Sequence, residues 1–588
     1  MTSGLDLFPR PRFVEERGPG GPAAGSEVRV VRIDGLAPEG FELELDDAGA
    51  TLRHGDSAGL RYGTATFEQI RAQSSGERLP SVLVRDHPDF PVRGYMLDVS
   101  RDRVPTRQTL ERLVHLAAVA RLNHLQLYVE HTFAHAGHET VWEHASPLTP
   151  GDLAWLDARC AAVGIELVGC RNSLGHFERW LRHDAYRPMA ECPDGFEFLP
   201  GVHMPAGTLA PNPENAAFAV GLIREMTSHL TSRQVNVCAD EPFELGKGVS
   251  AARCAAEGKE AVYVEHLRQI VGPLVDEGFA VRFWADVIRH APHLASRLPE
   301  GSTAIAWEYE APRPHGDAPL LPAAMASVLA NAGIDFGDGG GFADQVPDLA
   351  STGFPFWVAP GTSSWNSLVG RIDNAVTNLI DAAESGLAHG AGGYLITDWG
   401  DNGHLQPPAV SDGPMLFGGA VAWCLDANRD LDVAALLDRH AYDDPSGRLG
   451  AAAVDLGRLW GATGQRAANG SPIQKALLPH QALFVSGKPE VDRVVDVLDR
   501  IDAAMASIGA SEPRCPDGRL VAREWMLAAK LARAGAVRML ARARASESPA
   551  IDFSGLIEEA SACWILRSRP GGLSDSVAHL ERTAAGAL

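Results

Sequence analysis

Short apolar runs alternate with amphipathic helical segments through the middle of this chain. The runs are YMLDVS (95–100), HLQLYVE (124–130), IELVGCR (165–171), QVNVCADE (234–241), AVRFWADV (280–287), TAIAWEYE (303–310), PFWVAPGTSSW (355–365) and GGYLITDWGD (392–401). Segments such as RQTLERLVHLAAVARL and PENAAFAVGLIREMTSHL lie between them with apolar residues at helical spacing. Eight strands with intervening helices over residues 91–412 predict a (β/α)8 barrel. A doubly wound open sheet is the runner-up, weakened because no GxGxxG follows the first strand.

Residues 1–90 read as a small α/β domain. EVRVVRI and FELELD alternate as half-buried strands do, and SAGLRYGTATFEQIRAQ is helical. LPSVLVRDHPDFP, with two prolines near its end, reads as the seam into the barrel. Residues 413–588 carry only helical periodicity, in DVAALLDRHAY, AAAVDLGRLWGA, EVDRVVDVLDRIDAAMASI and REWMLAAKLARAGAVRMLARARA. The expected fold is therefore α/β: a TIM barrel between a small α/β domain and an all-α C-terminal domain. Arg567 and Arg569 in WILRSRPGGLSDS read as domain-docking groups, with substrate binding as the alternative.

A chain of 588 residues exceeds what one core usually supports, which agrees with several domains. The net charge of −23 disfavours nucleic acid and anionic membrane surfaces as partners. The start, MTSGLDLFPRPRF, lacks a basic stretch followed by an apolar run, and no run is long enough to span a bilayer. The eight cysteines are scattered without a CxxC pair and read as reduced core residues of a cytoplasmic protein. The helical tail can pack on its own barrel or on a second subunit of a homodimer.

In a barrel, function collects where the strands end. Here those ends carry Asp98, Glu130, His131, Arg171, Asn172, His176, Asp240, Glu241, Trp284, Asp286, Trp307, Glu308, Tyr309, Trp365, Asn366, Asp398, Trp399 and Asp401. Indoles converging with acids describe a sugar pocket: a pyranose packs its apolar face on the ring and pairs its hydroxyls with carboxylates and amides. Each residue also has a plain structural role available. The tryptophans fill cores, Asp98 and Asp286 cap helices, and Arg93 at the start of the first strand forms ion pairs. The weight lies in the joint pattern. His131, His135, His138 and Glu139 in EHTFAHAGHE offer a rival, a catalytic metal, but their spacing matches no compact ligand motif. A catalytically inactive sugar-binding barrel is the other alternative, against which the intact Asp240–Glu241 pair argues; no cofactor is expected.

RGYMLDVSRDRVP, GIELVGCRNSLGH and CADE resemble glycoside hydrolase family 20, as does LRYGTATFEQI…LPSVLVRDHPDFPVRG ahead of them. EHTFAHAGHE, PGTSSWNSLVGR and DWGDNGH are similar to its intracellular exo-β-N-acetylglucosaminidases with a helical C-terminal domain. The resemblance covers residues 50–405. It implies an exo-acting, retaining β-N-acetylhexosaminidase in which the substrate's own acetamido group is the nucleophile. It assigns Glu241 as general acid/base and Asp240 as the group that orients the acetamido. It makes Arg93 the grip on O3 and O4, Trp284, Trp307 and Trp399 pocket walls, and Asp401 the partner of O4 or O6. His131, His176, Trp365 and Asn366 join as substrate-binding groups. The chain departs from the family pattern around the acid pair and in its histidine-rich second strand. Its seventh strand also lacks the tyrosine expected on the acetamido oxygen, for which Tyr309 stands in.

Overall fold

The computed structural model describes residues 4–101, 103–199, 201–314, 320–321, 327, 339–478 and 484–586. Five strands open the chain: β1 (Phe13–Gly18), β2 (Val28–Arg32), β3 (Phe41–Asp46), β4 (Gly49–His54) and β5 (Ser81–Asp86). They form one sheet in the order β1-β5-β3-β4-β2, with the helix Ser57–Gln73 packed on it. Its alternation places Phe41, Leu43 and Leu45 of β3 in the core while Glu42 and Glu44 face outward beside Arg53. The stretch expected to be a seam, SVLVRD, is β5, bonded between β1 and β3. The prolines that suggested a linker, Pro88 and Pro91, follow this strand rather than interrupt it.

Eight parallel strands then close into a barrel. They are β6 (Arg93–Asp98), β7 (His124–Val129), β8 (Glu166–Arg171), β11 (Gln234–Asn236), β12 (Ala280–Trp284), β13 (Ser302–Trp307), β14 (Phe356–Ala359) and β15 (Tyr394–Asp398). Closure removes the open-sheet alternative. It comes from β15 pairing with β6 over five residues, Tyr394 against Arg93 through Asp398 against Leu97. Met96, Tyr128, Cys170, Cys238, Ile305, Trp357 and Leu395 fill the barrel's interior. A hairpin absent from the sequence reading, β9 (Phe196–Leu199) with β10 (Val202–Met204), rises from the loop after β8.

Helices make up most of the rest, including Asp412–Trp423, Val491–Gly509, Gly518–Ala543 and Phe553–Arg567. Among the described residues, a two-residue ladder, β16 (Arg466–Ala467) with β17 (Val485–Ser486), interrupts this all-α region. This region is locked onto the others. Trp423 shares a core with the N-terminal sheet and donates to Asp86. Arg569 donates to Asp152 and to Pro147 O in the barrel, while Arg567 pairs with Glu524 and Asp517 inside the helical region. No helix among the described residues is long and apolar enough to cross a membrane. The cysteines are free, and the Sγ atoms of Cys170 and Cys238 approach to 3.6 Å inside the barrel.

Candidate active site

A cavity of about 460 Å³ opens where the barrel strands end. Asp240 and Glu241 both line it, although neighbours on a strand point to opposite faces. The chain resolves this by leaving the strand early. β11 stops at Asn236, and Cys238, Ala239 and Glu241 take left-handed backbone with φ of 57°, 63° and 48°. Such conformations cost non-glycine residues about 1–2 kcal/mol each and concentrate at functional sites. Here they are held by Cys238 N donating to Asn236 Oδ1, Tyr263 Oη donating to Ala239 O and Glu241 N donating to Asp286.

The two acids end in different surroundings. The Asp240 side chain is 9% exposed and accepts from Asn172 Nδ2 at 2.7 Å; that of Glu241 is 35% exposed. His176 Nε2 lies 3.4 Å from a carboxylate oxygen of each. Burial opposes a charge on this ring, but Asp240 and Glu241 overcome it and push the imidazole well above its usual range. Burial likewise works against the Asp240 charge, and His176 more than offsets it, holding that carboxyl low. Asp286, half-buried at the start of the helix after β12, is raised to about 7 by desolvation and by repulsion from Asp240.

Aromatic rings form the walls. Trp284 and Trp399 pack at 5.8 Å, Trp307 stacks on Tyr309 at 5.3 Å, and Trp365 meets Tyr309 edge-on at 5.2 Å. Tyr309 Oη accepts from Trp399 Nε1 at 2.9 Å. Asp401 lines the cavity, and Asn366 stands beside it, donating to Asp401 Oδ2 at 3.1 Å.

Two expected residues lie elsewhere. Arg93 starts β6, so it sits at the opposite end of the barrel. It is fully buried, paired with Glu39 at 2.7 Å, and donates to Phe90 O, Arg121 O and Tyr62 Oη. It ties the barrel floor to the N-terminal sheet. Arg101, beyond the end of the same strand, occupies the cavity instead. Burial opposes its charge, but Glu130, Tyr128 and Asp98 hold its pKa well above the usual value. Its guanidinium lies over the Tyr128 and Trp399 rings at 5.0 and 5.3 Å. His131 is buried, lines no part of the cavity, and is driven by burial to about 3, which makes it a neutral core ring. The other members of the metal rival diverge: His135 Nδ1 contacts Glu225, and His138 Nδ1 contacts Tyr186 Oη. No cluster of three or more metal-ligand side chains occurs among the described residues. Besides Arg101, the sequence reading missed Glu310 and Arg289, and Asn469, which reaches the cavity from the helical region.

Residues 7–87 match the model for domain 2 of glycosyl hydrolase family 20. A beta-hexosaminidase of Akkermansia muciniphila is 26% identical over 307 residues, covering 46% of this chain. The chain spans 59% of the length of that curated relative. Among solved structures, a beta-N-acetylhexosaminidase aligns with TM-score 0.56 at 18% identity, over 75% of this chain and 97% of its own. A family 20 exo-beta-N-acetylglucosaminidase from Vibrio harveyi, in complex with N-acetylglucosamine, gives 0.56 at 13% identity over 78% of each chain. A chitobiase from Flavobacterium johnsoniae gives 0.55 at 14% identity over 98% of this chain and 99% of its own. At such identities the structural likeness is one of fold. The family 20 match is confined to residues 7–87, the N-terminal sheet and its helix, and the barrel behind them shares its fold with solved beta-N-acetylhexosaminidases.

Proposed function

We propose that the protein is a retaining exo-β-N-acetylhexosaminidase, releasing terminal β-linked N-acetylglucosamine or N-acetylgalactosamine. The observation that carries this reading is the acid pair: two adjacent carboxylates face one aromatic pocket, one enclosed and the other open to solvent. The substrate's acetamido oxygen attacks its own anomeric carbon while the bond to the leaving oxygen breaks. Glu241, accessible on the cavity wall, gives that oxygen its proton. The product of this step is a cyclic oxazolinium, and Asp240, kept ionised by His176, stabilises its positive nitrogen. Water then adds to the anomeric carbon as that carbon's bond to the acetamido oxygen breaks and the ring reopens, and the water's proton returns to Glu241, so two inversions give net retention. Arg101 serves as the hydroxyl grip first assigned to Arg93. Tyr309, whose oxygen already accepts from Trp399, has its hydroxyl proton available for the acetamido oxygen.

The aromatic walls fix the acetamido and the sugar ring in the geometry for attack, which supplies rate by positioning alone. The test is a pair of aryl β-glycosides with and without the 2-acetamido group. The N-acetylglucosaminide turns over and the glucoside does not; equal rates on both would remove the substrate-assisted reading. A thiazoline mimic of the cyclic intermediate binds far more tightly than substrate.

A further inference from the structure

Asn469 belongs to the helical C-terminal region, more than 60 residues beyond the last barrel strand, yet it lines the cavity. Its side chain is used at both ends. Oδ1 accepts from Trp365 Nε1 at 2.6 Å, and Nδ2 donates to Asp401 Oδ2 at 2.8 Å. Its backbone is fixed as firmly: N–H donates to Glu310 Oε1 at 2.8 Å, and the carbonyl accepts from Asn366 Nδ2 at 3.2 Å. Glu310 in turn is paired with Arg371 at 2.8 Å. The surrounding segment is pinned to the barrel. Ser471 N donates to Asn366 O, Lys475 Nζ donates to Ala468 O, and a Cβ at Gly470 would come within 2.7 Å of Asn366 O. Asn469 itself has left-handed backbone, φ 45°, which asparagine tolerates better than most side chains.

The consequence falls on Asp401. Both of its hydrogen bonds, from Asn366 and Asn469, go to Oδ2. Oδ1 accepts none from the described residues and belongs to a side chain on the cavity wall. A carboxylate anchored by one oxygen presents the other as a directed acceptor. We propose that Asn469 is a positioning residue that aims Asp401 Oδ1 at a hydroxyl on the C4–C6 edge of the terminal sugar. The helical region thereby completes the specificity pocket. This rests on the hexosaminidase reading above.

Asp401 is packed among charged and titratable groups from several segments: Arg101, Asp98, Glu241, Tyr309 and Lys475. Burial raises its carboxyl to about 6, while Arg101 and the bond from Asn469 oppose the rise. Loss of that bond frees the side chain to turn and favours its protonated form.

The test uses the full chain with Asn469→Gly, which keeps the left-handed backbone and removes only the side chain. Wild type and variant are compared on an aryl β-N-acetylglucosaminide and on its 4-deoxy and 6-deoxy analogues. On the parent, kcat/KM falls roughly 10- to 100-fold, mostly through KM, as for a lost bond to a charged group. On the analogue lacking the hydroxyl that Asp401 holds, the variant loses less than about threefold. The acid limb of kcat/KM on the parent also moves to higher pH. Equal losses on the parent and both analogues, or no loss at all, would overturn the assignment. Circular dichroism and the melting midpoint separate a misfolded variant. For such a variant, Asn469→Ser, a short side chain that cannot span the same two partners, is read by the same substrate ratio. A wild type inactive on the parent would instead overturn the hexosaminidase reading itself.

Discussion

Two arginines lie eight positions apart on one segment, and the barrel's direction decides between them. Arg93 begins β6 and Arg101 follows its end, so only Arg101 reaches the face where the strands finish. Arg101→Lys keeps the charge but loses the planar fork, and kcat/KM falls by an amount worth about 1.5–3 kcal/mol. Arg93→Lys leaves kcat/KM within about threefold and lowers the melting midpoint, because its buried pairing with Glu39 and two carbonyls is disturbed. Steady-state kinetics beside thermal unfolding read both; a catalytic defect in the Arg93 variant without loss of stability would reverse the pair. At the acids, the leaving group separates the roles. Glu241→Gln loses roughly 10²–10⁴-fold on a disaccharide and far less on a nitrophenyl glycoside, whose leaving group needs no proton. On the proposed mechanism, Asp240→Asn loses on the order of 10²–10³-fold on both substrates, because the acetamido must attack whichever group departs. The opposite pattern in kcat/KM would exchange the two assignments.

At the scale of elements, periodicity revealed the barrel because its strands are buried along most of their length and stand between amphipathic helices. It could not reveal where strands stop. QVNVCADE looks like eight residues of strand, yet only Gln234–Asn236 pair, and the rest is a turn with three left-handed residues that carry side chains. Nothing in Cys238 or Ala239 announces such a turn, since glycine or asparagine would be the usual signal. The turn is imposed by tertiary bonds from Tyr263 and Asp286, which no local pattern encodes. Asn469 escaped for a related reason: its segment reaches the pocket through long-range bonds to Glu310 and Asn366. The aromatic residues and acids at the strand ends were legible because the barrel rule needs only a strand's direction. The turn also makes a prediction. Ala239→Gly relieves left-handed strain and keeps kcat/KM within a few-fold. Ala239→Val adds a branched Cβ at φ 63° in a fully buried position and lowers kcat/KM more than tenfold. Similar kinetics for the two variants would mean that the turn does not aim the acids.

Across the whole molecule, burial has left two sets of titratable groups that pull stability in opposite directions over one pH range. Glu244 and Asp286 are raised to about 7, and Asp381, Asp401 and Asp438 to about 6, chiefly by desolvation. Between their unfolded values near pH 4 and these folded values, the native state holds more protons, so their contribution is lost as pH rises. Buried histidines behave conversely. His131 and His135 are lowered to about 3, and His266 and His440 to about 4, again chiefly by burial. The unfolded chain takes up protons on these rings below about pH 6.5 while the native state does not, so their contribution is lost as pH falls. One substitution from each set exposes the opposition. Asp286→Asn keeps an acceptor for Glu241 N and removes a carboxylate that the fold disfavours once ionised. Its gain in unfolding free energy over wild type, read from the melting midpoint, is larger at pH 8 than at pH 5 by a difference on the order of 2–3 kcal/mol. His266, with neither ring nitrogen bonded to any of the described residues, sits within the apolar face of the helix Lys259–Asp276. His266→Leu therefore gains more at pH 5 than at pH 8, the reverse signature. The measurement is thermal unfolding of three proteins at two pH values. Parallel shifts for both variants would show that burial has not separated these groups from their unfolded values.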